Sequence, residues 1–246
     1  MEVEISDIGM FRDVMSAIGG LMSDVSLDFL PEGLDIKAMD PPNIAMVIFN
    51  AKKENFASYD VDKSIKLSVS LYDLNSILRF AKEGSKVKLK DLKGRLQIVI
   101  KDKNEIEFTV PLIDEDYTAQ KVPQLKMTAE IVLLSSIIKN GVKMASTVDD
   151  SIYFMIDGDK FSMNAKNVDK EFLQVFSMNS NKEIFNIKSE GLTKAKYSVD
   201  YLQKMINIFD PDKEMRMEFS NNYPIKLEYT IKDGATLQFI LANRTE

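Results

Sequence analysis

The chain contains neither cysteine nor histidine among its 246 residues. Without cysteine there is no disulfide, no thiolate zinc site and no cysteine nucleophile. Without histidine the commonest general base, the commonest transition-metal ligand and every histidine-dependent triad are gone. No G-x-x-x-x-G-K-S/T loop and no G-x-G-x-x-G turn occurs, which argues against a nucleotide-binding enzyme. Proline (7) and glycine (10) are sparse against 45% hydrophobic residues, a balance that favours packed cores over disorder. No segment approaches the roughly 18 to 20 consecutive apolar residues of a membrane span, and the start MEVEISDIG is acidic where a signal peptide would be basic. A cytoplasmic protein without cofactor or metal is expected.

Carboxylates are what remains for chemistry. The acidic clusters are IDEDY (113 to 117), VDD (148 to 150) and DPDKE (210 to 214). A pair of them could cleave a glycosidic bond or hold magnesium. None fits a calcium-loop pattern, and aspartates in turns ordinarily cap local backbone groups.

What is present is a pattern told twice. A helical stretch from Ile8 to Met22, a strand pair over 28 to 39, an amphipathic stretch over 66 to 82 and a strand over 95 to 102 return in the same order. Their second appearances are TAEIVLLSSIIKNG, YFMIDGDKFSMN, KAKYSVDYLQKMINIF and PIKLEYTIKD. Gly33 and Gly158 are 125 residues apart, Leu74 and Leu202 128, and Asp102 and Asp233 131. Two copies are too few for a solenoid, so each half must close its own core. The expected organisation is a domain over 1 to 113, a connector over 114 to 126 around Pro123, and a second domain over 127 to 246.

Four helices are expected, over 8 to 22, 72 to 82, 129 to 143 and 199 to 209. The first carries the stripe Ile8, Phe11, Met15, Ile18 and Met22, capped by Ser6 or Asp7. Across the four, the bases are Arg12, Arg79, Lys82, Lys139, Lys143 and Lys204, and the acids are Asp13, Asp73, Glu130 and Asp200. The helices therefore carry a net +2, leaving −8 for the rest of a chain of net charge −6. If they line one surface, that surface attracts a polyanion while the remainder repels it. Bases toward helix ends would also arise simply as complements to the helix dipole.

Elsewhere the period is two: 66 to 70, 95 to 100, 105 to 110 and 226 to 231 alternate apolar with polar, as half-buried antiparallel strands do. Gly33 and Gly158 sit where hairpin turns belong. The fold class is therefore α+β: two similar domains, each of antiparallel sheets with two helices on one side. Residues 105 to 110 and 171 to 178, if they lay at sheet edges, would invite head-to-tail pairing with another chain.

LDIKAMDPPNIAMVIF (34 to 49), VPLID (110 to 114), VPQL (122 to 125), YPIKLEYTI (223 to 231) and LANR (241 to 244) together resemble the proliferating cell nuclear antigen family of sliding clamps, of archaeal and eukaryotic type. The resemblance implies the DNA clamp fold, closed into a ring of three subunits that confers polymerase processivity in DNA replication and repair. Its inner wall would be the basic helices. Arg12, Arg79, Lys82, Lys139, Lys143 and Lys204, assisted by Lys194 or Lys196, would then face the phosphates of double-stranded DNA without reading sequence. Asp13, Ser76 and Asn207 stand where the family often has Lys or Arg.

The resemblance implies a second site, a pocket under the connector for client peptides of the form Gln-x-x-hydrophobic-x-x-aromatic-aromatic. Its matching positions are Met39, Asn43, Ile44, Met46 and Val122, with Pro123, Leu125, Pro224, Ile240 and Ala242. Asn43 and Asn243 depart from the family's usual His and Pro. Implied partners are a DNA polymerase, a flap nuclease, a ligase and a separate ATP-driven loader. No membrane is involved, and the compartment is the cytoplasm if archaeal or the nucleus if eukaryotic. Two other readings stand beside this one: a carboxylate-dependent hydrolase using Asp114, Asp116, Asp149 or Asp150, and one subunit of a mixed ring.

Overall fold

A computed structural model describes residues 1–113, 120–206 and 210–245, with the backbone alone for Lys232. Two compact units make up the chain. The first holds 1–43, 47–122 and 230–237; the second holds 44–46, 123–229 and 238 onward.

The first half of the chain runs β1 (Glu2–Ile5), α1 (Ile8–Gly19), β2 (Asp24–Leu30), β3 (Gly33–Met39), β4 (Ala45–Lys52), β5 (Phe56–Asp60), β6 (Ile65–Ser70), α2 (Leu71–Leu78), β7 (Lys86–Asp91), β8 (Arg95–Lys101) and β9 (Glu105–Pro111). The second half repeats this order as β10 (Ala129–Leu134), α3 (Ser135–Ala145), β11 (Ser151–Asp157), β12 (Lys160–Lys166), β13 (Glu171–Ser177), β14 (Ile184–Ser189), β15 (Thr193–Ser198), α4 (Val199–Ile206), β16 (Glu214–Phe219), β17 (Ile225–Thr230) and β18 (Thr236–Leu241).

The repetition extends to strand order. The first half arranges its strands as β5-β1-β7-β8-β9 and β4-β3-β2-β6; the second arranges its own as β14-β10-β16-β17-β18 and β13-β12-β11-β15. Each strand of one half thus has its counterpart nine places later. Neighbours such as β8 and β9, or β12 and β13, run antiparallel in register over seven residue pairs.

The helices form where apolar residues fall three or four apart. In α1 these are Ile8, Phe11, Val14, Met15 and Ile18, all buried, and the Asp7 carboxylate caps the helix by accepting from the Met10 N–H at 2.9 Å. In α2, Ser70 Oγ accepts from the Asp73 N–H at 3.3 Å. The expected span 8 to 22 ends earlier, at Gly19, where the Gly19-Gly20 pair gives poor helix propensity.

The expected helix over 129 to 143 needs a larger correction. Residues 129–134 are strand β10, hydrogen-bonded on one side to β14 and on the other to β16, and α3 begins only at Ser135. Ile131 and Ile138 suit a helical stripe, but Ala129, Ile131 and Leu133 also alternate, and these three are the buried ones. The counterpart of this strand in the first half is β1, four residues that precede the helix. Residues 207 to 209, expected to end the fourth helix, and 114 to 119 of the expected connector lie outside the described residues.

Both hairpin glycines are needed, for different reasons: Gly33 opens β3 directly after its turn, and Gly158 lies in the turn itself. A Cβ on Gly33 would lie 2.1 Å from the Ala51 carbonyl oxygen, so backbone approaches there closely. Gly158 needs its left-handed φ of 59° and has open space around it. In the second unit Gly141 brings α3 onto β12, where a Cβ would meet Met163 Cε at 2.2 Å. The faces of β11 and β12 carrying Phe154, Phe161 and Met163 are therefore the faces covered by the helix.

Candidate functional site

In the first unit α1 and α2 pack side by side, tied by the Asn75 side-chain amide, which donates to the Met15 carbonyl at 3.1 Å. Between them opens a cleft of about 620 Å³ whose rim includes Arg12, Asp13, Ser16, Tyr72, Ser76 and Arg79. Arg12 Nη1 donates to the Ala81 carbonyl at 3.3 Å, which steadies its guanidinium beside the residue preceding Lys82. Arg79 and Lys82 are exposed. The structure thus gathers Arg12 and Arg79 on the rim of the cleft, while α2 ends at Leu78, short of the expected 82, and leaves Lys82 in the loop beyond it.

Asp13 shares this rim. Burial pushes its carboxyl up from the ordinary carboxylate value, opposed by Arg12 and reinforced by Asp7.

In the second unit α3 and α4 pack together and carry Lys139, Lys143 and Lys204. Lys204 Nζ lies 2.8 Å from Asp200 Oδ2 in an i,i+4 pair, and 5.5 Å from the Tyr201 ring centroid. Its charge is partly answered within the helix. Among the described residues, Arg79, Lys82 and Lys143 stand in no ion pair within 4.0 Å, whereas several strand charges are paired across their sheets. Lys88 binds Glu2 at 2.9 Å and Glu4 at 3.4 Å, Glu130 takes Arg216 and Lys188, and Glu218 takes Lys226. Arg216 holds the Glu130 carboxyl below its ordinary value.

Lys194 and Lys196 do not share the helical face. In β15, Thr193, Ala195 and Tyr197 are buried toward the core, so the lysines between them project from the opposite face of the sheet. There both approach Tyr153, with Nζ 4.2 and 5.4 Å from its ring centroid. The alternation was legible in the sequence; the missing step was to ask which phase of it the helices cover.

The positions matched to a client pocket divide between the units. In the first, Met39 ends β3, Val122 is exposed, and Asn43 closes a turn in which its N–H donates to the Asp40 carbonyl at 2.9 Å with a left-handed φ of 59°. In the second, Ile44 is 38% exposed and its carbonyl accepts from the Ala242 N–H at 2.9 Å. Pro123 is exposed, and Leu125, Pro224 and Ala242 are half-buried. Met46 (1% exposed) and Ile240 (7%) are core residues of their strands.

Two features escaped the sequence reading. Tyr72 is 82% exposed on the rim of the α1–α2 cleft, one position off the buried stripe of α2. Asp150 meets Arg244, whose Nη1 donates to its Oδ1 at 2.6 Å and lies 2.7 Å from Ser151 Oγ. Asp149 caps the Ser151 N–H at 2.9 Å, so this acidic pair is engaged in turn and tail contacts. Among the described residues no group of three acids is placed to hold a metal.

β9 and β13 each end their sheet order, with β8 and β12 as their neighbours among the described residues. Apolar side chains stay exposed near both: Ile106 (45%) and Phe80 (62%), whose ring stacks on Phe108 at 5.8 Å, and Leu173 (60%) and Val175 (55%).

Residues 1–119 match the model of the proliferating cell nuclear antigen N-terminal domain, and residues 121–244 that of its C-terminal domain. A curated relative, the DNA polymerase sliding clamp of Pyrococcus horikoshii, is 30% identical over 237 residues, covering 96% of this chain and 95% of its own. Among solved structures, the proliferating cell nuclear antigen (PCNA) of Thermococcus kodakaraensis superposes with a TM-score of 0.94 at 24% identity, covering 99% of each chain. A. fulgidus PCNA, solved with the C-terminal region of FEN-1 bound, superposes with a TM-score of 0.90 at 25% identity, covering 100% of this chain and 98% of its own.

Proposed function

The chain belongs to the proliferating cell nuclear antigen family of DNA polymerase sliding clamps, and we propose that it closes with two further copies into a ring that encircles duplex DNA. It is a binding protein of DNA replication and not an enzyme. Residues 1 to 113 and 127 to 246 are its two clamp domains, with 114 to 126 as the connector.

One observation carries the ring. Each unit holds part of β4 beside part of β18, and the Ala242 N–H to Ile44 carbonyl bond extends that pairing in the second unit. By the nine-place correspondence, the counterpart of β18 is β9 and the counterpart of β4 is β13. A β9–β13 pairing between copies would therefore match the neighbour relation of β18 and β4 in the strand order. It would cover the exposed Ile106 and Phe80 and satisfy two open strand edges. The contact is heterologous, so repeating it generates a ring when the rotation closes.

The helical cations then meet phosphates. Arg12, Arg79, Lys82, Lys139, Lys143 and Lys204 are scattered point charges with no paired geometry for reading base edges, which suits attraction without sequence preference. Retention by topology leaves each contact free to be weak. Sparse contacts put no deep energy well at any register, and the ring slides.

Client proteins dock through the apolar positions Met39, Ile44, Val122, Pro123, Leu125, Pro224 and Ala242; that A. fulgidus PCNA binds the C-terminal region of FEN-1 supports the reading that such a chain takes client segments. Met, Ile, Val and Pro form a dry wall for an aromatic anchor, whose burial contributes about 1.5 to 3 kcal/mol per side chain. Polymerase, flap nuclease, ligase and loader compete for it through short peptides.

Light scattering tests the ring. The purified 27.9 kDa chain should run at three times its own mass, and Leu173→Asp with Val175→Asp should reduce it to a folded monomer. A wild-type monomer that assembles only on adding a second, different clamp chain would instead assign it to a mixed ring.

A further inference from the structure

Lys194 and Lys196 sit two residues apart on the uncovered face of β15, opposite Met155 and Tyr153 of β11 in register. Both ammonium groups reach the single ring of Tyr153, at 4.2 and 5.4 Å from its centroid. The negative π-face draws each cation and holds the two together, though like charges that close repel. Among the described residues no carboxylate lies within ion-pair distance of either. The nearest basic neighbour along the tail, Arg244, is already engaged by Asp150 and Ser151. The arrangement is a positive patch held on an aromatic platform and left unneutralised, two ammonium groups converging on one ring.

Its position names the partner. The Lys194 carbonyl accepts from the Asn222 N–H at 3.1 Å, the Lys194 N–H donates to Asn221 Oδ1 at 2.7 Å, and the Lys196 carbonyl accepts from the Arg244 N–H at 2.7 Å. Pro224 and Ala242, two walls of the client pocket, are each two residues from those bonded groups, at most about 7 Å of chain. The patch faces away from α3 and α4, and so away from the cations assigned to DNA in this unit.

We propose that Lys194, Lys196 and Tyr153 receive an acidic side chain, Asp or Glu, that flanks the docking motif of a client peptide. The inference rests on the pocket reading of the previous section. A carboxylate placed between the two ammonium groups relieves their repulsion and accepts a hydrogen bond from each. The patch thereby selects among clients that share the same apolar anchors, by the charge of the residues beside the motif.

The test uses the full-length protein and labelled peptides of the form Gln-x-x-hydrophobic-x-x-aromatic-aromatic, flanked on one side or the other by two Ala, two Glu or two Lys. Glu on the correct flank should bind about fivefold to tenfold tighter than Lys at low salt, and the difference should collapse toward 0.5 M salt. In Lys194→Glu with Lys196→Glu the order should invert, while the Ala-flanked peptide keeps its wild-type affinity and the melting temperature is unchanged. Tyr153→Leu should shrink the preference without inverting it. Equal affinities for all flanks, within twofold, would overturn the proposal while leaving the pocket intact. Failure of the Ala-flanked peptide itself would overturn the pocket reading and this inference with it. Unchanged peptide ranking with lost DNA-dependent processivity in the double variant would assign the lysines to DNA instead.

Discussion

The Tyr197 phenol of β15 donates to the backbone carbonyl of Tyr223 at 2.7 Å, across the turn that leads into β17. The ring is fully buried, 5.8 Å from that of Phe154, and burial pushes the phenol far above its ordinary value, so it stays a neutral donor. This bond fixes the turn that presents Pro224. Tyr197→Phe should cost about 1 to 2 kcal/mol, because the donor is lost and the carbonyl is left without it. Urea unfolding checks this: the midpoint should fall at constant slope, and client-peptide affinity should fall with it.

Arg79 and Lys139 carry the same sign on the helical faces of different units. Reversing both, Arg79→Glu with Lys139→Glu, should lower clamp-dependent processivity by about tenfold or more at moderate salt, since each contact to phosphate contributes through released counterions. Light scattering should still find the wild-type mass. Processivity that survives the reversal would remove these residues from the DNA-facing wall.

Gly33 and Gly158 occupy corresponding hairpins yet should respond differently to alanine. At Gly33 the new Cβ would strike the Ala51 carbonyl, backbone that cannot swing aside. A loss of about 2 kcal/mol or more is expected there. At Gly158 the strain is that of a left-handed φ alone, about 1 to 2 kcal/mol, and Asn should be tolerated better than Ala. Chemical unfolding of the three variants gives the comparison.

Asp150 offers a pH test. The hydrogen bond from Arg244, aided by Ser151, holds its carboxyl down to about 2. A depressed folded value stabilises above the unfolded value, near 3.9, and that stability is lost as pH falls through about 2. Wild type and Asp150→Asn should therefore differ by a constant amount from pH 5 to 8, begin to converge below about pH 4 and meet near pH 2. The group is 75% exposed, so the plateau should not exceed about 0.5 kcal/mol. A difference that changes between pH 5 and 8 would mean that another group controls the tail.

Strands were easiest to read where one face is buried and the other wet. Residues 66 to 70, 95 to 100 and 105 to 110 fall within strands β6, β8 and β9, and 226 to 230 within β17, which ends one residue short of the expected Ile231. Segment 129 to 134 misled because its apolar residues satisfy periods of two and of 3.6 together, and only the flanking β14 and β16 decide between them. Lys194 and Lys196 misled for a related reason. A Lys-x-Lys run just before the helix that carries Lys204 looks continuous with it in sequence, while strand alternation sends the two to the far side of a sheet. The clasp between Asp150 and Arg244 joins residues 94 apart and left no local signal. Tyr72 was overlooked because an aromatic next to a buried stripe is usually counted as core.

The claim on which the rest depends is that this chain holds DNA by surrounding it. Labelled clamp, loaded by its loader onto nicked circular DNA and separated from free protein by gel filtration in high salt, measures that directly. Encirclement requires the clamp to remain with the circle and to be lost once a single restriction cut makes the circle linear. Equal retention on circular and linear DNA, or release from both as salt rises, would mean ordinary electrostatic binding and would contradict the account.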